Sequence, residues 1–356
     1  MPLKIDPKKI NPQMIILGRE SRGIAQSELA DLLSIKQAAM SKIENGLLKM
    51  SKVDLKKMSQ VLMYPEHFFL QVEPIYGMEA SDFFHRKRQN VPLKDIKKVH
   101  GILNVLTINI GKLLKSVDLG DIDIPSFDVN SYDSVSEIAQ VTRAVLKLPH
   151  GPIQNVVSVI ENAGGIVVYY DFGSNKVDAI SRRIPGFPPL FFANKSMPPD
   201  RIRMNLCHEL GHIVMHYLPN SDMEEQAFEF ASEFLMPAEE IGPSLENLTL
   251  QKLADLKVYW KVSMASIIYR AKFLNKITSN QERYLYSQLA KYGYKTREPI
   301  NLDPPEETPR LFNDILDIHF NDFSYSKEQI CDVLALNEDE FEENYLLKGK
   351  RLKLIK

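Results

Sequence analysis

The segment His208-Glu209-Leu210-Gly211-His212 constrains this chain more than any other five residues. An α-helix turns roughly 100° per residue, so positions i and i+4 point nearly the same way. In a helix the two imidazoles can therefore reach one ion. Glu209 sits beside them, where a carboxylate can take a proton from a water polarised by that ion. The flanks agree, because Ile202, Leu206, Leu210, Ile213 and Val214 are apolar at helical spacing.

What precedes this helix has a different period. Ile166 to Tyr170 is a β-branched and aromatic run after two glycines. Lys176 to Ser181 and Leu190 to Ala193 are further short strand candidates separated by turn-rich segments. Helical spacing predicts a long helix over 92–118 and helices near 134–147 and 151–163, with a loop rich in Asp, Pro and Ser over 119–132. After residue 221 the chain reads as helical again, apart from a Pro-rich break at 299–309. The expected fold class is mainly α with a small three-stranded β-sheet (α+β).

A zinc ion with two histidine ligands needs a third protein ligand and an open fourth position. Zinc is the expected ion, with manganese as the alternative. Ser221 can cap a helix that returns antiparallel to the first, and its opening turns carry Glu224, Glu225 and Glu229. Any of the three can reach the ion on spacing alone. Ser221-x-x-Glu224 also fits a capping box, in which Glu224 bonds only the Ser221 backbone.

Residues 12–63 read as short helices broken by tight turns. Asn11-Pro12 is a helix start, Gly23 a stop. Gln26 to Leu33 forms a helix with Leu29, Ala30 and Leu33 on one face; Ser34-Ile35 turns; Gln37 to Asn45 forms a second helix, with Met40 and Ile43 inward and Gly46 closing it. Residues 1–63 hold eleven Lys/Arg against six Asp/Glu, whereas the whole chain has a net charge of −2. A basic head on an acidic body suits a chain of which only the head touches DNA.

Two resemblances carry these readings further. The stretch RESRGIAQSELADLLSIKQAAMSKIENG resembles the XRE, or lambda-repressor-like, helix-turn-helix family, departing from it at Ser34, where the family usually has Gly. By position, Gln37, Ala38 and Lys42 resemble that family's base-facing residues, and Gln26 and Asn45 its phosphate contacts. HELGH followed by ExxAxxFAxxxLMP resembles the ImmA/IrrE family of metallopeptidases. That resemblance implies that the Glu three residues before Ala227, Glu224, is the third metal ligand beside His208 and His212, with Glu209 as the catalytic base of a gluzincin-like zinc endopeptidase. Phe228 stands where the family often has Asn, and Met204 and Cys207 replace a usual Phe and Ala. The combined resemblance covers roughly residues 12–300. It implies a helix-turn-helix domain at 1–70, a helical linker at 71–132, a zincin-like peptidase domain at 133–280 and a helical C-terminal region at 281–356. The implied substrate is a repressor-type regulatory protein whose cleavage controls transcription. The alternative is a DNA-binding regulator whose metal site is structural or sensory.

The remaining residues read more plainly. His216, four beyond His212, can face the cleft as a ligand or substrate contact, or be an ordinary partly exposed histidine. Asp178 and Ser181 can edge the cleft. Cys207 points about 100° from His208 and reads as packing. Trp260 and Tyr269 read as core, and 251–275 as helices packed on the peptidase core. Arg86-Lys87-Arg88, Lys94, Lys97 and Lys98 read as a solvated face. Two cysteines allow no disulfide framework. With no apolar leader and no long apolar run, a cytoplasmic protein without membrane contact is expected. DNA readers of this kind usually engage paired half-sites, so a homodimer is expected to suit it.

Overall fold

The computed structural model describes residues 10–77, 92–173, 176–218 and 220–346. Arg86-Lys87-Arg88 and the basic segment 348–356 lie outside the described residues. Contacts divide the chain into two units, Met1–Asp118 with Phe312–Lys356, and Leu119–Leu311.

In the first unit Asn11 caps helix α1 (Pro12–Ser21) by accepting the Gln13 N–H, and Pro12 fills the first turn. Helices α2 (Gln26–Leu33), α3 (Gln37–Glu44) and α4 (Lys52–Leu62) follow. Leu29, Ala30, Leu33, Met40 and Ile43 are buried, as their spacing predicts. The turn between α2 and α3 places Ser34 at φ 59°, ψ 38°, the left-handed region. A residue with a Cβ is strained there by roughly 1 kcal/mol. Ser34→Gly is therefore expected to raise stability by about 0.5–1 kcal/mol, read as a higher thermal midpoint. A midpoint that falls would show that the serine side chain more than offsets its own strain. Arg19 of α1 and Glu44 at the end of α3 form a buried ion pair at 2.8 Å.

The long helix Leu93–Leu114 packs on α1 with almost no gap. A Cβ at Gly101 would lie 2.5 Å from the Ser21 backbone nitrogen, so only glycine permits this approach. The unit is completed from the far end of the chain. Arg22 donates to both carboxylate oxygens of Glu340, at 2.9 and 2.6 Å. Asn109 Nδ2 donates to the Tyr345 hydroxyl at 2.7 Å. Asn337 Nδ2 donates to the Met63 carbonyl at 2.9 Å.

In the second unit, helices Val135–Val145 and Val156–Asn162 precede strands β1 (Ile166–Tyr170), β2 (Ala179–Arg182) and β3 (Leu190–Asn194). The strand order is β1-β3-β2, with β1 parallel and β2 antiparallel to β3. β2 begins three residues later than the candidate Lys176 to Ser181. Asn194 holds that approach instead, its backbone N–H donating to the Asp178 carbonyl and its Nδ2 to the Val177 carbonyl.

The HELGH helix spans Pro199–Met215 and the return helix Met223–Leu235. Leu206, Leu210, Phe230, Phe234, Leu253, Trp260, Ile267 and Ile268 share one buried cluster, so the helices Leu250–Trp260 and Met264–Phe273 belong to the core of this unit. Tyr269 does not. It is 44% exposed, because Met264, Ile267, Ile268 and Ala271 set the inward face and leave it outside.

Buried charges anchor the start of the HELGH helix. Lys257, wholly buried, pairs with Asp200 in its first turn, with Glu298 at 2.9 Å and with Asp303 at 3.3 Å. Arg203 pairs with Glu307 and donates to the Ile153 carbonyl. Removing one partner of such a buried pair costs about 3–5 kcal/mol, so this end of the helix is rigidly placed. Among the described residues no helix is long and apolar enough to cross a membrane.

Candidate active site

The two histidines lie on one face of the HELGH helix, both buried, with their Nε2 atoms 3.1 Å apart. Glu224 faces them from the return helix, its Oε2 3.5 Å from His208 Nε2 and its Oε1 3.3 Å from His212 Nε2. Zinc with ligands at about 2.0–2.1 Å in a tetrahedron has ligand–ligand edges of about 3.3–3.4 Å. The observed separations, with one Glu224 oxygen toward each imidazole, lie near that value, and two imidazoles with a carboxylate are a donor set that catalytic zinc takes. His208, His212 and Glu224 thus form a group that could hold a metal ion.

The approach of the two helices brings Glu224 to the site. A Cβ at Gly211 would meet the Phe230 ring at 3.0 Å, so the glycine of HELGH admits the return helix closely. The return helix starts at Met223 with Asp222 as its cap residue, and Ser221 Oγ donates to Asp222 Oδ1. The capping-box alternative for Glu224 is thereby removed, because the helix begins one residue later than a Ser221 cap requires. Of the other carboxylates, Glu225 is exposed and Glu229 accepts from Ser136 Oγ at 3.0 Å.

Electrostatics follow from burial. Burial pushes the His208 imidazole below its ordinary pKa. For Glu224 burial acts upward, but its interactions with the facing His208 and His212 imidazoles outweigh it and hold the carboxyl below the usual range. A histidine kept neutral and a carboxylate kept ionised are the ligand forms a metal requires.

Glu209 is buried beside the ligands and tied to the edge strand β2. Both the backbone N–H and the hydroxyl of Ser181 donate to Glu209 Oε2, each at 2.7 Å. Ser181 therefore orients the carboxylate. Asp178, its companion in the cleft-edge expectation, instead pairs with Arg201 at 2.7 Å. Phe228 packs edge-on against the His208 ring, with centroids 4.4 Å apart, where an amide side chain would have offered a hydrogen bond. Cys207 is fully buried in the core, and burial pushes its thiol up to about 12.

His216 is half-buried and does not join the group of ligands. Its Nδ1 lies 2.9 Å from His212 Nδ1 and its Nε2 2.9 Å from Gln226 Oε1. Spacing leaves His216 open as a ligand, a substrate contact or an ordinary partly exposed histidine, and nothing in the sequence singles out Gln226. Gln226 stands two residues past Glu224, on no face that spacing would have singled out.

In the first unit, Gln37, Ala38, Lys42 and Asn45 are all exposed on α3 and the residue that ends it. Gln26 is half-buried, its amide donating to Glu44 at 2.8 Å. Asn45 donates to the Ser41 carbonyl at 2.7 Å.

With the geometry in place, comparison with known proteins adds one match. Residues 161–272 match the family model described as the IrrE N-terminal-like domain, Peptidase_M78. The matched span contains all three strands, the HELGH helix and the return helix. No curated protein matches the chain.

Proposed function

We propose that the chain is a zinc-dependent endopeptidase joined to a DNA-binding helix-turn-helix domain. On this reading it acts on a repressor-type regulatory protein and so controls transcription. The observation that carries the peptidase reading is the convergence of His208, His212 and Glu224 beside a buried, oriented Glu209, inside a span that matches a peptidase family. A bound zinc ion would supply Lewis acidity and make water a nucleophile near neutral pH. Glu209 takes the proton from the attacking water as the new C–O bond forms. It delivers that proton to the amide nitrogen as the C–N bond breaks, so the carboxylate is regenerated. Ser181 keeps the carboxylate plane fixed through both transfers, and the buried ion pairs of Asp200 and Arg203 keep the helix itself in place.

Support for DNA binding is of a different kind. It rests on the exposed Gln37, Ala38, Lys42 and Asn45 of α3 and its end, on the small, buried Ala30 of α2, and on the positive charge of residues 1–63. The dimer that paired half-sites favour belongs to the same reading. If Lys42 contacts a base, Lys42→Ala loses about 1–3 kcal/mol of affinity for a duplex selected from a random pool. The loss should be sequence-dependent in anisotropy titrations. An equal loss on every duplex would reduce Lys42 to a phosphate contact.

The test of the peptidase reading is a survey of protein N-termini in cells expressing wild type or Glu209→Gln. New N-termini that depend on Glu209 identify the substrate. Their absence, with an unchanged regulatory effect, would instead favour a DNA-binding regulator with a structural metal site.

A further inference from the structure

Hydrogen bonds around His212 form a directed series that begins at an unambiguous donor. A backbone N–H can only donate, and that of Asp222 donates to Asn220 Oδ1 at 2.9 Å. The orientation of the Asn220 amide is thereby set, and its Nδ2 donates to Gln226 Oε1 at 3.3 Å. The Gln226 oxygen is thus an acceptor, so the His216 Nε2 that faces it at 2.9 Å must carry a hydrogen. A neutral imidazole with its hydrogen on Nε2 has a lone pair on Nδ1. His212 Nδ1, at 2.9 Å from that lone pair, is then the donor. The only position left for the His212 lone pair is Nε2, the atom that faces His208 and Glu224.

The geometry points to His216 and Gln226 as positioning residues that hold His212 in the tautomer with hydrogen on Nδ1 and so present its Nε2 lone pair to the metal. The assignment rests on the metal-site reading above. Metal-bound histidines ordinarily secure the same end through a carboxylate or backbone carbonyl on the second nitrogen. Here a second imidazole takes that place, and an amide oxygen, itself held by Asn220, orients that imidazole. The segment that opens the return helix therefore acts on the site twice. It delivers Glu224 as a ligand and, through Gln226, sets the proton on His212.

The test uses the full chain and zinc itself. Side-chain NMR of isotope-labelled histidine, with and without zinc, reports which ring nitrogen carries hydrogen. Hydrogen on His212 Nδ1 and His216 Nε2 is expected. Gln226→Leu, of similar size but with no acceptor, should populate both His212 tautomers and weaken zinc binding about 10–100-fold in chelator competition, at unchanged helical content. Gln226→Glu, which keeps the acceptor, should bind zinc at least as well as wild type. Combining Gln226→Leu with His216→Ala should cost little more than the larger single effect, because the two act in series. Hydrogen on His212 Nε2 in the wild type, or wild-type zinc affinity in Gln226→Leu, overturns the assignment. A wild type that shows these tautomers yet binds no zinc would count against the metal-site reading and leave the hydrogen-bond series standing.

Discussion

Glu209→Gln is expected to lower the peptide-hydrolysis rate by about 10²–10⁴-fold, the range by which a positioned acid–base group accelerates proton transfer, while zinc content stays at the wild-type level. The substitution is nearly isosteric. Its amide oxygen can still accept from the N–H and hydroxyl of Ser181, which now meet Glu209 Oε2 at 2.7 Å, so the local fold should persist. What disappears is the capacity to hold a proton between the attacking water and the leaving nitrogen. Turnover and elemental analysis on the same preparation separate the two effects. A variant that cleaves within a few-fold of wild type would remove Glu209 from the chemistry. A variant that loses its metal as well would show that the carboxylate is needed to build the site.

The second large effect concerns the metal itself. Wild type should carry about one zinc per chain, and Glu224→Ala should lose it on dialysis. His208 and His212 alone leave the ion with two protein ligands. The fallback candidates are poorly placed to substitute, since Glu225 is exposed, Glu229 is bonded to Ser136 and His216 is engaged by His212 and Gln226. Zinc retained in Glu224→Ala would show that one of those three moves in. No metal in either protein, even after reloading with zinc or manganese, would leave the histidine cluster without its proposed ion.

How much of this could be read in advance depends on the range of the interaction. The helical spacing of HELGH, the three short strands and the α2–turn–α3 pattern are local signals, and the structure contains an element at each place. The turn at Ser34-Ile35 was a local signal too, but its strain was readable only through the resemblance, which puts Gly at Ser34. Glu224 lay at the limit of what spacing allows, because its approach depends on Gly211 facing Phe230 across two helices. A capping box there looked equally good until the helix start was seen at Met223. Tyr269 failed because one inward face cannot hold every apolar residue of a helix. The hydrogen-bond series through Gln226 had no local signature, since its direction comes from a backbone N–H in the preceding loop. The pairing of Arg22 with Glu340 was equally hidden, because ion pairs so distant in sequence leave no periodic trace.

That last pairing has a consequence for the order in which the protein comes into being. The helices of the first unit emerge from the ribosome first, yet partners that complete them follow only after residues 119–311. At the usual pace of about 5–20 residues per second, Arg22, Met63 and Asn109 wait on the order of 12–64 s for Glu340, Asn337 and Tyr345. Every residue of the second unit, the histidine cluster included, is therefore on the nascent chain before the N-terminal helices meet their last supports.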